Sequence, residues 1–185
     1  MEFTLHYRGE LKANRGPKDK HALRRHFHAQ LGILWQQVPL KERGDLLGRD
    51  ANDVGSSIVR SVNGFSFAPL VCEKLHLIAE LNITMLRPEP PGSIITQAGD
   101  IDNRLKTLFD ALKIPKEPTA LPADAVPEEG ETPFFCLLED DNLITKVAVS
   151  TDRLLYGDVR PSEVELLVHV TTKAISAVWA NAGLG

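Results

Sequence analysis

Apolar side chains at Phe3, Leu5 and Tyr7 alternate with Thr4 and His6. That period of two predicts a half-buried strand over Glu2 to Arg8. After a loop from Gly9 to Pro17 the period changes: Leu23, Phe27, Leu31, Leu34, Trp35 and Val38 recur at helical spacing until Pro39 ends the run. A first helix over Lys18 to Val38 follows, with Lys20, His21, Arg24, Arg25 and His28 around its outer face. Lys41 to Asn63 mixes glycines and charges without a sustained period and reads as a long connection, with room for a short helix.

From Val71 to Leu86 the positions Leu75, Leu77, Ala79, Leu81, Ile83 and Met85 are apolar at every second residue, which predicts one long strand. The proline-rich run Arg87-Pro88-Glu89-Pro90-Pro91-Gly92 terminates it, since proline cannot donate to a ladder. A second helix is expected from Asp100 to about Ile114-Pro115, with Ile101, Leu105, Leu108, Phe109 and Leu112 on its apolar side. On another side Asp102, Asn103, Lys106, Asp110 and Lys113 fall within an arc of about 100° at roughly 100° per residue. Lys116 to Pro133 is rich in proline and acid and reads as a mobile surface excursion. Leu143 to Ser150 and Glu163 to Thr171 alternate again and are expected to pair antiparallel through Thr151 to Ser162, before a short helix from about Lys173. The order predicts one α+β domain over residues 1–185, a small mixed β-sheet with helices packed on one face and long connections at about 41–63 and 114–133. No internal repeat is present.

Composition narrows the class. The chain has 185 residues, 43% hydrophobic and 25% charged, enough for a packed core and unlike a disordered or fibrous chain. No apolar run approaches a membrane span, and the start Met1-Glu2-Phe3-Thr4-Leu5-His6 lacks a basic-then-apolar leader pattern, so a cytoplasmic location is expected. Cys72 and Cys136 stand alone, without Cys or His at metal-ligand spacing, and read as buried free thiols. His26 and His28 point to different faces of a helix and form no ligand pair.

The net charge of −4 excludes a protein that coats nucleic acid by being basic throughout. Its distribution is uneven: Met1 to Gln30 carries +4 and Ile114 to Asp141 carries −7. A basic end suits a polyanion and an acidic middle suits metal ions, while solvated surface is the plainer account of both.

The acidic middle has a structured neighbour. Asp100 suits a helix N-cap, Asp102 suits the first turn, and Asp102, Lys106 and Asp110 are spaced as i,i+4 partners. Helix construction alone accounts for that run. Glu139-Asp140-Asp141 at the start of a strand is different, because acids are poor strand formers and their repulsion requires a metal or another cation nearby. An EF-hand is excluded, since Arg104, Leu105 and Ala111 stand where a ligand, a glycine and a glutamate would be needed. A nucleotidyltransferase-like reading of Gly92-Ser93 with Asp100-Ile101-Asp102 would put the second motif on a strand, whereas here it enters a helix.

Asp100-x-Asp102-Asn103-x-x-Lys106, then Phe109-Asp110-Ala111-Leu112, a variable loop, and Leu138-Glu139-Asp140-Asp141 before an alternating strand resembles the RusA-type Holliday junction resolvases. The resemblance covers mainly Asp100 to Ser150, with weaker support from the first strand, the Asn14-Arg15 loop and the final strand. It implies a small α/β domain, a homodimer, and cleavage of four-way or related branched DNA in recombination and repair with Mg²⁺, or Mn²⁺ in its place. Asp100, Asp102 and Asp141 are then the metal ligands, with Asp140 or Asn103 in support, and Lys106 is the catalytic lysine. Familiar members are shorter and basic, with arginines where this chain has Ile95-Thr96-Gln97-Ala98-Gly99. Lys12, Asn14, Arg15, Lys18, Lys20 and Arg24 are the expected grip on DNA phosphates. The alternative is a catalytically inactive RusA-fold module that binds nucleic acid or protein.

Overall fold

The computed structural model describes residues 1–11, 15–48, 55–89, 100–155 and 163–185. Lys12, Asn14 and part of the 41–63 connection lie outside these residues. The fold is α+β, as the order of elements predicted.

Strands β1 (Glu2–Glu10), β4 (Leu77–Arg87), β6 (Ile144–Arg153) and β7 (Glu163–Ala174) form a mixed sheet in the order β1-β7-β4-β6. A smaller sheet joins β2 (Arg60–Val62), β3 (Phe65–Val71) and β5 (Phe134–Leu138) in that order. Helices α1 (Pro17–Leu34) and α2 (Asp100–Leu112) pack against them. Across the larger sheet Leu5, Val168, Ile83 and Val149 stand side by side. The first three are buried, and together with Phe27 and Leu31 of α1 and Leu108 and Leu112 of α2 they belong to one continuous core. A second cluster gathers Phe65, Phe67, Ile114, Leu121, Phe134 and Cys136. Both cysteines are free and buried.

Three expectations are corrected. The strand predicted over Val71 to Leu86 is β4, which starts only at Leu77: Val71 ends β3, a strand that was not predicted, and a turn at Glu73–Leu75 and a left-handed His76 at φ 50° separate the two. Leu75 and Leu77 are both fully buried, so the alternation runs through the turn without a visible break. β6 and β7 are not neighbours; β4 lies between them, antiparallel to β7 and parallel to β6. β7 is buried at Val164, Leu166, Val168 and Val170, as a central strand must be, whereas β6 exposes Thr145, Lys146 and Val147 and suits an edge. At the C-terminus β7 continues through Ala174, its end pairing with Leu77, and the expected helix is replaced by a short turn at Trp179–Asn181.

The proline-rich segment after α2 is docked rather than loose. Leu121 enters the second apolar cluster, and Glu131, only 5% exposed, accepts from the Arg25 guanidinium at 2.7 Å. Arg25 also reaches Glu128 at 2.8 Å and the Val126 carbonyl at 3.0 Å. The basic and acidic segments of the sequence therefore meet here and neutralise each other.

Candidate functional site

Helix α2 begins at Asp100 and is amphipathic in the predicted sense: Leu108, Ala111 and Leu112 are buried, while Asp102 and Lys106 are exposed. Arg104 and Thr107 are buried on its inner side as well, the Arg104 guanidinium donating to the Leu11 carbonyl. Negative charge in the first turn is favoured by the helix dipole. Asp102 and Lys106 sit one turn apart on the open face, and neither has a hydrogen-bond or ion-pair partner among the described residues. Asn103 lends its carbonyl to the Thr107 hydroxyl at 3.0 Å.

The other acids lie towards the opposite end of α2. The Ile114 amide donates to the Leu138 carbonyl at 3.0 Å, which fixes the end of β5 beside the end of the helix. Glu139, Asp140 and Asp141 then emerge in succession, and each meets its own cation: Arg60 at 3.2 Å, Lys116 at 2.7 Å and Lys113 at 2.6 Å. Asp140 also accepts the Asn142 amide at 3.1 Å and caps the turn Asp141–Leu143. Burial opposes ionisation of Asp140, but the Lys116 ammonium, a hydrogen bond with Asp141 and the Asn142 amide outweigh it and hold the carboxyl well below the usual range. Asp110 is in the same position: partial burial would raise it, and Lys20 at 2.6 Å with Lys113 at 3.4 Å brings it down.

Of the expected metal ligands, Asp102 thus stands apart from Asp140 and Asp141. Lys113, which holds Asp141, lies eleven positions beyond Asp102 on one helix and its continuation. At 1.5 Å of rise per residue that separates their Cα atoms by about 16 Å. The structure brings Asp140 and Asp141 together with Asp110, but does not bring Asp141 to Asp102. Among the described residues no three His, Cys, Asp or Glu side chains are grouped as metal ligands; the side chain of Asp100 is outside that set. The repulsion that the sequence made conspicuous at Glu139-Asp140-Asp141 is relieved by arginine and lysine.

The basic face of α1 also differs from expectation. Arg24 is 2% exposed and points inwards, donating to the Asp110 carbonyl at 2.8 Å. His21 and His28 turn inwards too, His21 against Phe65 and Phe134, and His28 stacked on Phe134 while accepting the Phe135 amide at 2.8 Å. Arg15 is occupied by Glu10 at 3.1 Å and Asp19 at 2.8 Å, and Lys20 by Asp110. Of the described residues expected to grip DNA, Lys18 alone is exposed with no ion-pair partner. The helical period was right, but it could not reveal that the aromatic rings of β3 and β5 approach the flank carrying His21, Arg24 and His28.

Lys113 and Lys116 are the residues that sequence reasoning passed over. Their signal was faint: Lys113 stood on the polar stripe of α2, three residues after Asp110, and Lys116 was the only cation of the acidic segment. Together with Lys20, Arg24, Asp110 and Glu117 they line a cavity of about 200 Å³. No family model matches the chain, and no curated protein or solved structure matches it either.

Proposed function

We propose that this chain is a Mg²⁺-dependent endodeoxyribonuclease of the RusA-like type, which cleaves four-way or related branched DNA as a homodimer in the cytoplasm. One observation supports the reading above others: in the motif Asp100-x-Asp102-Asn103-x-x-Lys106, the Asp102 carboxylate and the Lys106 ammonium stand exposed on one helical face, engaged by no other side chain among the described residues. Unpaired acid and base at a helix mouth have no packing role and are available to solvent and substrate. Magnesium ordinarily takes one or two protein carboxylates and completes its shell with water and phosphate oxygens. Asp100 and Asp102 fit that requirement and would hold the ion, which supplies a more acidic water and charge neutralisation at phosphate. Lys106 would face the phosphate oxygens as negative charge builds on them.

Asp141, and Asp140 beside it, enter this reading as a second acidic station that the resemblance assigns to the metal. A second reading, an inactive binding module, is favoured by the pairing of those two carboxylates with Lys113 and Lys116. Cleavage of a synthetic four-way junction with and without Mg²⁺ decides between them. The nuclease reading expects cutting by the native chain and none by Asp102→Asn. No cutting of any branched substrate by the native chain, with junction binding retained, leaves the binding module.

A further inference from the structure

The cavity between α1 and the end of α2 has an unusual wall. Four cations, Lys20, Arg24, Lys113 and Lys116, line it with two carboxylates, Asp110 and Glu117, while Asp140 and Asp141 hold Lys116 and Lys113 from outside the lining. The three lysines have carboxylate partners. Arg24 has no carboxylate at ion-pair distance among the described residues: its guanidinium meets the Asp110 carbonyl and, at 3.5 Å, the Nδ1 of His21, while its Nε is buried with no hydrogen-bond partner among them. Burial draws its pKa from 12.5 down to about 10, with only partial relief from Cys136 and Asp110.

A buried guanidinium lacking a counter-ion is costly, and the cost falls when an anion reaches it. The cavity, at about 200 Å³, holds a small anion. A carboxylate offers two oxygens in one plane, whereas Lys20 and Arg24 from α1 and Lys113 and Lys116 from beyond α2 call for acceptor oxygens in more than one direction. A phosphate group has that form, with acceptor oxygens only and a charge to match.

We propose that this cavity is a phosphate seat, with Arg24 at its base, Lys20 and Lys113 on its walls and Lys116 at its mouth. It is separate from the Asp102 helix mouth, and it stands whether or not the chain cuts DNA. Lys116, with a side chain 62% exposed, can be changed without disturbing the core.

The test is calorimetric titration of inorganic phosphate into the full chain, at ionic strength held constant with sodium chloride. Saturable binding of one phosphate per chain is expected, weakened at least tenfold in Lys116→Gln and in Lys20→Gln, with circular dichroism of both variants unchanged. Absence of saturable binding, or equal affinity in the native chain and both variants, overturns the proposal. A second arm, binding of an uncut four-way junction in EDTA, identifies where the phosphate comes from. Competition by free phosphate together with weaker junction binding by Lys116→Gln means that the seat receives the strand backbone. Junction binding indifferent to both, alongside a phosphate affinity that Lys116→Gln lowers, makes the seat one for free phosphate or a phosphate monoester.

Discussion

The Lys113 ammonium lies 2.6 Å from Asp141 and 3.4 Å from Asp110, so one cation ties helix α2 to the turn that follows β5. Its side chain is 11% exposed, while Asp110 is 22% and Asp141 39% exposed, so solvent screens the contact with Asp141 more than that with Asp110. Lys113→Met should lower stability by about 1–3 kcal/mol, because two partly buried carboxylates lose a shared partner. Urea denaturation measures it, and adding Asp141→Asn should restore part of the loss. A midpoint unmoved by Lys113→Met would mean that the bridge contributes nothing.

Asp102 and Asp141 should separate in a paired experiment. Asp102→Asn removes an exposed carboxylate that has no partner among the described residues, and stability should stay within about 0.5 kcal/mol of the native value. Asp141→Asn strips Lys113 of its closest acid and should destabilise by about 1 kcal/mol. Junction cleavage should be abolished in the first and reduced in the second. Full activity in Asp141→Asn would restrict the ion to the first turn of α2.

His21 makes stability depend on mild acid. Burial, then the charges of Arg24 and Arg25, bring its pKa from 6.5 to about 4. The unfolded chain therefore takes up a proton as pH drops below 6.5 while the folded chain does not until about 4, and stability declines across that window. From pH 7 to pH 5 the decline attributable to His21 is about 2 kcal/mol. In urea titrations at the two pH values, His21→Phe should lose about that much of the difference. An unchanged difference would assign the acid sensitivity to other groups, with His28, also lowered chiefly by burial, the first to examine.

Glu131 loses its contribution in the same direction as His21, with falling pH, but from a lower starting point. Burial would raise its pKa, but the Arg25 hydrogen bond, the Glu128 amide and the charges of Arg25 and His28 outweigh burial and hold it below 4.5. A depressed folded value gives stability that is complete above the unfolded pKa and disappears as pH falls through the folded one. Glu131→Gln should therefore cost stability at pH 7, and the cost should shrink as pH falls through the depressed folded value of Glu131, below which both chains carry a neutral side chain. Acid titration followed by tryptophan fluorescence would record it; a constant gap between the two chains across that range would contradict the assignment.

The parts of the fold that were legible in the sequence are those where burial follows one clean period. Leu23, Phe27 and Leu31 marked α1, and Leu108 and Leu112 marked α2. Val164, Leu166, Val168 and Val170 marked β7. β5 was missed because Phe134 to Leu138 is apolar at every position, which is what a strand enclosed on both faces requires and what periodicity cannot resolve. β3 was missed for the same reason, being buried at nearly every position, and the strand that is β4 was begun too early, at Val71, since a tight turn happened to preserve alternate burial. At the site, the exposure of Asp102 and Lys106 followed from the helical stripe. The partners of Asp110, Asp140 and Asp141 did not, because Lys20 reaches Asp110 across ninety residues and Lys113 reaches Asp141 across twenty-eight. Pairings of that separation belong to tertiary structure and leave no local trace.

Glu139, Asp140 and Asp141 each carry a resident counter-ion, and this gives the end of β5 the character of an ion exchanger rather than an empty cage. A divalent cation arriving there must evict an ammonium group, so its apparent affinity is set by the difference between two attractions and not by one. An anion entering beside Lys113 and Lys116 would draw those same ammonium groups away and leave the aspartates bare. Positive and negative visitors to this corner of the molecule should therefore assist each other.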